Sequence, residues 1–79
     1  MKKEHVINSI KGGQAIYDLI KEDEVVIIRK VAEVVGVTPP TVLRAIKRFM
    51  EFGLIEETKR IGSYRCFRIL DDDEIKNFK

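Results

Sequence analysis

A chain of 79 residues, 44% hydrophobic and 35% charged, is enough for one small folded domain and too balanced for a disordered segment. No apolar run approaches the ~18 residues of a membrane span. Met1-Lys2-Lys3 leads into Glu4 and His5 instead of an apolar stretch, so no secretory signal is read and a cytoplasmic location is the expectation. A single cysteine, Cys66, and a single histidine, His5, leave no internal disulfide and no Cys/His metal cluster, and no Ser/His/Asp or Cys/His set stands ready for catalysis. The expectation is a protein that is not an enzyme, with no cofactor and no evident small-molecule effector.

The net charge of +2 says little, but its distribution says more. Nine Lys or Arg face four Glu between Arg29 and Arg68, whereas the flanks carry six Lys against nine Asp or Glu. Positive charge is therefore concentrated mid-chain, as a footprint for a polyanion requires. Lys, Glu, Ile and Val are frequent and only three residues are Asn or Gln, a bias that fits a thermophilic source.

In chain order, Val6, Ile7 and Ile10 fit a helical stripe, either a short helix or an arm, that ends at Gly12-Gly13. Ala15, Ile16, Leu19 and Ile20 predict a helix from about Gly13 to Glu22. Asp23-Glu24 reads as a turn and Val25-Val26-Ile27 as a short β-branched strand. Ile28, Val31, Ala32 and Val35 share one face of a second helix that Gly36 ends. Thr38 is placed to cap the next helix with its hydroxyl, and Pro39 suits the first helical position. That helix runs from about Pro39 to Phe52, buries Val42, Ile46, Phe49 and Met50, and ends at Gly53, with Leu54 placed for the apolar contact that follows such a cap. Ile55–Arg60 and Tyr64–Leu70 predict two strands joined by Ile61-Gly62-Ser63, with Phe67 and Ile69 turned inward. Tyr17, Phe52 and Phe67 read as core, and Cys66 as a small buried apolar residue. Asp71 to Phe78, with its acidic start, predicts a terminal helix.

The segment from Ile28 to Leu54 meets the demands of two helices crossing steeply through a short turn. Ala32 is small where the helices touch, Gly36 supplies the turn, Val37 plugs the angle, and Val42, Ala45 and Ile46 line the inner face of the second helix. This pattern resembles the helix-turn-helix of DNA-binding regulators. Its continuation through Phe49, Met50, Gly53, Leu54 and Ile55 into a basic hairpin resembles the winged subclass found in many bacterial and archaeal repressors and in archaeal viruses. The fold expected is α+β: a winged helix-turn-helix domain over residues 1–79, with the helix-turn-helix at about 28–53 and the wing at about 55–70.

The resemblance implies that the helix over 39–52 enters the major groove of duplex DNA. With Val42, Ile46 and Phe49 inward, its outer face carries Pro40, Thr41, Arg44, Lys47, Arg48 and Glu51. Arg44 suits a bidentate pair with guanine, and Thr41 suits a base edge or a thymine methyl. Lys47 and Arg48 fall nearer the flanking phosphates, and the backbone amides beside Thr38 are a candidate phosphate site. Glu51, like-charged with DNA, marks where the helix leaves the groove. In the wing, Lys59, Arg60, Ser63, Tyr64 and Arg65 point to backbone phosphates or the minor groove. Arg68 faces either solvent or a flanking phosphate. Together these cations would neutralise about 4–6 phosphates per subunit. The plain alternative for the helix and wing charges is a solvated surface.

The function so read is sequence-specific binding of double-stranded DNA by a transcription regulator. A winged-helix module for protein–protein contacts within a transcription or replication complex is the alternative. RNA binding is disfavoured because only Tyr64 offers an exposed aromatic ring. A single short recognition helix reads few base pairs, so a homodimer is expected, paired through Val6, Ile7 and Ile10 or through Ile75 and Phe78; the alternative is that these ends pack on their own domain.

Overall fold

Gly12 and Gly13 form a corner in which a side chain at the first position is strained and one at the second is blocked by backbone. Gly12 is left-handed (φ +74°), and a Cβ there would lie 2.7 Å from Val35 Cγ1 and 3.3 Å from Val37 Cγ1. A Cβ on Gly13 would lie 1.8 Å from the carbonyl oxygen of Ile7. The computed structural model, which describes residues 3–62 and 64–70, turns this corner between α1 (Lys3–Ile7) and α2 (Gly13–Glu22). The corner brings the first apolar stripe onto the body of the molecule: Val6, Ile7 and Ile10 are 1%, 3% and 9% exposed and belong to the core. The expectation that these three residues pair two subunits is therefore corrected. The segment they occupy is a helix and not an arm, and its apolar face is spent within its own chain.

The chain continues through β1 (Val25–Val26), α3 (Ile28–Val35), α4 (Pro39–Glu51), β2 (Ile55–Ile61) and β3 (Tyr64–Ile69). Helix α3 ends where Gly36 turns left-handed (φ +86°), letting the N–H groups of Gly36 and Val37 both donate to the Ala32 carbonyl at 2.8 and 3.0 Å. Helix α4 ends one residue earlier than expected, at Glu51. There Leu54 N–H donates to Phe49 O at 2.8 Å and Gly53 N–H to Met50 O at 3.1 Å, the paired closure that a left-handed glycine permits. Leu54 drops into the core at 1% exposure.

The three strands form one antiparallel sheet in the order β1-β3-β2. Strand β2 continues through Ile61, so the hairpin turns more tightly than the Ile61-Gly62-Ser63 loop read from sequence, at Gly62 with φ +59°. The register shifts between Glu57, opposite Phe67, and Lys59, opposite Cys66, which makes Thr58 the extra residue of a bulge. Phe67 is fully buried, Ile69 half-buried, and Cys66 a buried free thiol. Ser63 and the expected helix from Asp71 to Phe78, with Ile75 and Phe78, lie outside the described residues.

Phe49 and Phe67 are the largest fully buried side chains, packed among Ile16, Ile20, Ile46, Leu54 and Ile55. Tyr17 meets Phe49 edge to face, with ring centroids 5.8 Å apart. Phe52 is only half-buried against this core. Met50, expected inside, is 36% exposed. At 100° per residue it falls at the edge of the buried stripe, facing a cleft towards the wing instead of the core.

The Gly12-Gly13 corner yields the first prediction. Gly13→Ala forces a methyl group against backbone, which has no rotamer to yield, so it should cost about 1–3 kcal/mol or more. Gly36→Ala meets no atom within 4 Å and is opposed by its backbone angle alone, a penalty nearer ~1 kcal/mol. Urea denaturation of both variants checks the order. Equal or reversed losses would contradict the packing described.

Candidate nucleic-acid interface

Helix α4 presents its outer face because its inner face is consumed. Val42, Ala45, Ile46 and Phe49 are at most 1% exposed. Helical geometry then turns Pro40, Arg44, Lys47 and Glu51 to solvent, and all four are exposed. This face is carried rigidly, since α4 packs on α1, α2, α3 and β2.

At its N-terminal end the structure corrects two expectations. The hydroxyl of Thr38 makes no capping hydrogen bond to the helix backbone and lies 3.0 Å from the hydroxyl of Thr41. The reason is local: the first two helical residues are Pro39 and Pro40, neither of which has an N–H to donate. The next two amides, of Thr41 and Val42, both donate to the Thr38 carbonyl, at 3.0 and 3.2 Å. The first turn therefore holds no free backbone donor for a phosphate, and what it offers is a pair of adjoining hydroxyls, that of exposed Thr38 and that of half-buried Thr41.

Arg48 departs from the outward set. Its Nε donates to Ser9 Oγ at 2.7 Å, and its guanidinium lies 5.0 Å from the centre of the Phe52 ring. Ser9 Oγ in turn donates to the carbonyl of Val6 at 2.6 Å. Arg48 thus ties the α1–α2 corner to α4 through its Nε–H.

The wing shows the same division between free and occupied cations. Arg65 donates through Nε and Nη2 to the two carboxylate oxygens of Glu57 at 2.9 and 3.3 Å, and its guanidinium lies 5.0 Å from the centre of the Phe67 ring. Arg60 reaches Glu57 Oε2 at 3.4 Å while its own side chain stays 61% exposed. The hydrogen bonds from Arg65, reinforced by the charges of Arg65 and Arg60 against partial desolvation, hold the Glu57 carboxyl below the usual carboxylate range. The pair is therefore formed at neutral pH. Because the folded-state value is the lower one, its contribution is lost only as pH falls through that depressed value. Arg68 is bonded to Glu56. Lys59 and Tyr64 are exposed, and Lys59 has no ion-pair partner among the described residues. Ser63 is outside them.

The structure brings Thr38, Pro40, Thr41, Arg44 and Lys47 to the outer side of α4 and leaves Lys59, Arg60 and Tyr64 exposed on the hairpin. Two contributors were missed by the sequence reading. Leu43, 44% exposed, lines the cleft between α4 and the wing with Ile46, Lys47, Met50, Glu51 and Arg65. Its helical angle, between the inner stripe and Lys47, was the signal available for it. Glu57, which organises the wing arginines, had no such signal, because the bulge at Thr58 decides which residues it faces.

The family model for the iron-dependent repressor N-terminal DNA-binding domain matches residues 14–63, more than half of the chain. No curated protein and no solved structure matches the chain.

The two arginines of α4 should separate in a stability measurement. Arg48→Ala removes a charged hydrogen bond at a partly exposed site and should lower stability by about 1 kcal/mol. It should also speed amide exchange over Val6–Ile10. Arg44→Ala should stay within about 0.5 kcal/mol of wild type. Chemical denaturation with hydrogen exchange checks this. Equal effects of the two changes would show that Arg48 does not tie α1 in place.

Proposed function

The chain belongs to the iron-dependent repressor N-terminal DNA-binding domain family, and on that premise we propose that it regulates transcription by reading a specific sequence in duplex DNA, with α4 in the major groove and the wing along the flanking backbone or minor groove. The observation that carries this reading is the selective pairing of its cations. Arg48, Arg65 and Arg68 are engaged by the protein's own Ser9, Glu57 and Glu56, while Arg44 and Lys47 on α4 and Lys59 on the wing lie exposed. A surface laid out only for solubility has no need of that division.

Arg44 is central on the outward face and has the fork that matches the O6 and N7 acceptors of guanine. Thr41 and Leu43 flank it with a methyl group and an apolar side chain, either of which suits a thymine methyl. Lys47, Lys59 and Arg60 serve the phosphates, which fix register without carrying sequence information. With Arg48 and Arg65 withdrawn from that count, about three to four phosphates are neutralised per subunit instead of about 4–6. One α4 reads only a few base pairs, so two copies on a pseudo-palindromic site, with half-sites about 34 Å or a multiple apart, supply the selectivity that a genome demands.

Iron itself finds no matching donors among the described residues. No three His, Cys, Asp or Glu side chains converge there, Cys66 is buried within the sheet, and His5 is exposed on α1. No described helix is long and apolar enough to cross a membrane.

Selection from random duplexes, followed by titration over a range of salt, tests the proposal. The log–log salt slope should be about −3 per subunit. Arg44→Ala should cost about 1–3 kcal/mol at one base position and flatten discrimination there, whereas Lys59→Ala should weaken all sequences alike and reduce the slope by about one. A slope near zero, or sequence-blind losses from both changes, would count against it.

The wing gives a test of sign. Removing a negative charge near DNA ordinarily strengthens binding. Glu57→Gln should do so here on two counts, by that loss of charge and by releasing Arg65, which the carboxylate otherwise withholds from the phosphates. Weaker binding by this variant would mean that Glu57 orients the wing arginines towards DNA and does not withhold them.

A further inference from the structure

The large apolar side chains that stand exposed among the described residues fall into two groups. Leu43, Met50, Ile61 and Tyr64 border the proposed DNA-reading face. Val25, Ile27 and Val34, at 37%, 38% and 64% exposure, gather in a separate groove between the end of α2, β1 and the outer side of α3, with Leu19 in its wall. Val34 is the clearest anomaly: a β-branched residue on the solvent side of a helix surrenders rotamer freedom and gains no burial in return. No residue of α4 or of the β2–β3 hairpin lines this groove, so covering it leaves the DNA-reading face free.

We propose that this groove is the surface through which two copies of the chain pair about a two-fold axis, an inference that rests on the DNA-binding reading above. The occupant is argued from charge and from extent. The groove is lined by one acid and one base from different walls, Asp23 at the end of α2 and Lys30 on α3. The Asp23 carboxylate is oriented by accepting the N–H of Val25 at 3.2 Å. In a two-fold contact each surface meets itself reversed, so Lys30 of one copy meets the partner's Asp23, while Val25, Ile27 and Val34 cover their counterparts. The apolar stripe of α1, the other described candidate, is buried at home. A stable dimer buries about 1,200–2,000 Å² in total, and a groove of this extent supplies the centre of such an interface and not its whole area. Pairing is therefore weak in free solution. It becomes effective on DNA, where the first bound copy raises the local concentration of the second to the order of millimolar.

The test uses the full chain and two duplexes carrying the selected sequence, one with a single half-site and one with two. Wild type should bind the two-site duplex with cooperativity of about tenfold or more and self-associate measurably at millimolar concentration in sedimentation equilibrium. Val34→Glu should lose both while keeping its single half-site affinity. Lys30→Glu and Asp23→Lys should each lose cooperativity, and the double variant should recover it. Cooperativity and self-association that survive Val34→Glu, or that are absent from wild type at every half-site spacing, would overturn the proposal. So would a fall in the melting temperature of monomeric Val34→Glu, since it would show the groove to be filled from within its own chain. Single half-site affinity reports on the DNA-binding reading separately, and free-protein sedimentation reports on pairing without DNA.

Discussion

Helix α4 is held to the rest of the chain by the crossing of α3 and α4, and that crossing turns on the carbonyl of Ala32. It accepts the N–H groups of both Gly36 and Val37, which only a left-handed residue at position 36 allows. The small side chain of Ala32, 3% exposed, lets the two helices approach, and Val37 fills the angle from the core side. A Cβ at Gly12 would strike Val35 and Val37 on the two sides of this turn. The α1–α2 corner thus seats directly on the α3–α4 turn, so one packed junction sets the direction of α4. Every property assigned to its outer face depends on that direction.

A rigid helix is only a scaffold until its charges are sorted. In this chain the sorting is done by partners distant in sequence or across the hairpin. Ser9 engages Arg48, Glu57 engages Arg65, and Glu56 engages Arg68. Single hydrogen bonds and surface ion pairs of this kind contribute little to stability, commonly ~1 kcal/mol or less each. Their effect is better understood as placement: they withdraw some cations from the solvent-facing set and leave Arg44, Lys47 and Lys59 to define it. Glu51, exposed at the far end of α4, limits the positive face along the helix axis.

The helices were legible because their burial obeys their periodicity. The predicted spans of α2 and α3 agree with the structure at both ends, since Gly13 and Gly36 mark boundaries that the apolar spacing also marks. The helix-turn-helix was legible for the same reason: Ala32, Gly36, Val37 and Val42 each satisfy a separate steric demand. The family match over residues 14–63 supports the winged fold read from those residues. Failures came where a residue's role was set by something beyond its neighbours. Thr38 has the chemistry of a cap, but Pro40 has no amide for it to serve and that of Thr41 donates to the Thr38 carbonyl instead. Arg48 points outward on a helical wheel, yet its partner Ser9 lies 39 positions away. Val6, Ile7 and Ile10 looked surplus to a small core because the Gly12-Gly13 corner, read as a break, is in fact a close packing contact. The pairings around Glu57 depend on a one-residue bulge that no local pattern announces.

The central claim is that the outward face of α4, oriented by this crossing, is the surface that meets DNA. It is tested most directly by titrating the isotopically labelled chain with a short duplex and following backbone amides together with the arginine Nε–H resonances. The account predicts that the largest perturbations fall on Thr41, Arg44 and Lys47, with Lys59 on the wing. The Nε–H of Arg44 should shift, and that of Arg48 should stay in place because its partner remains Ser9. Perturbations concentrated on α2 or the outer side of α3, with the outer face of α4 silent, would contradict it.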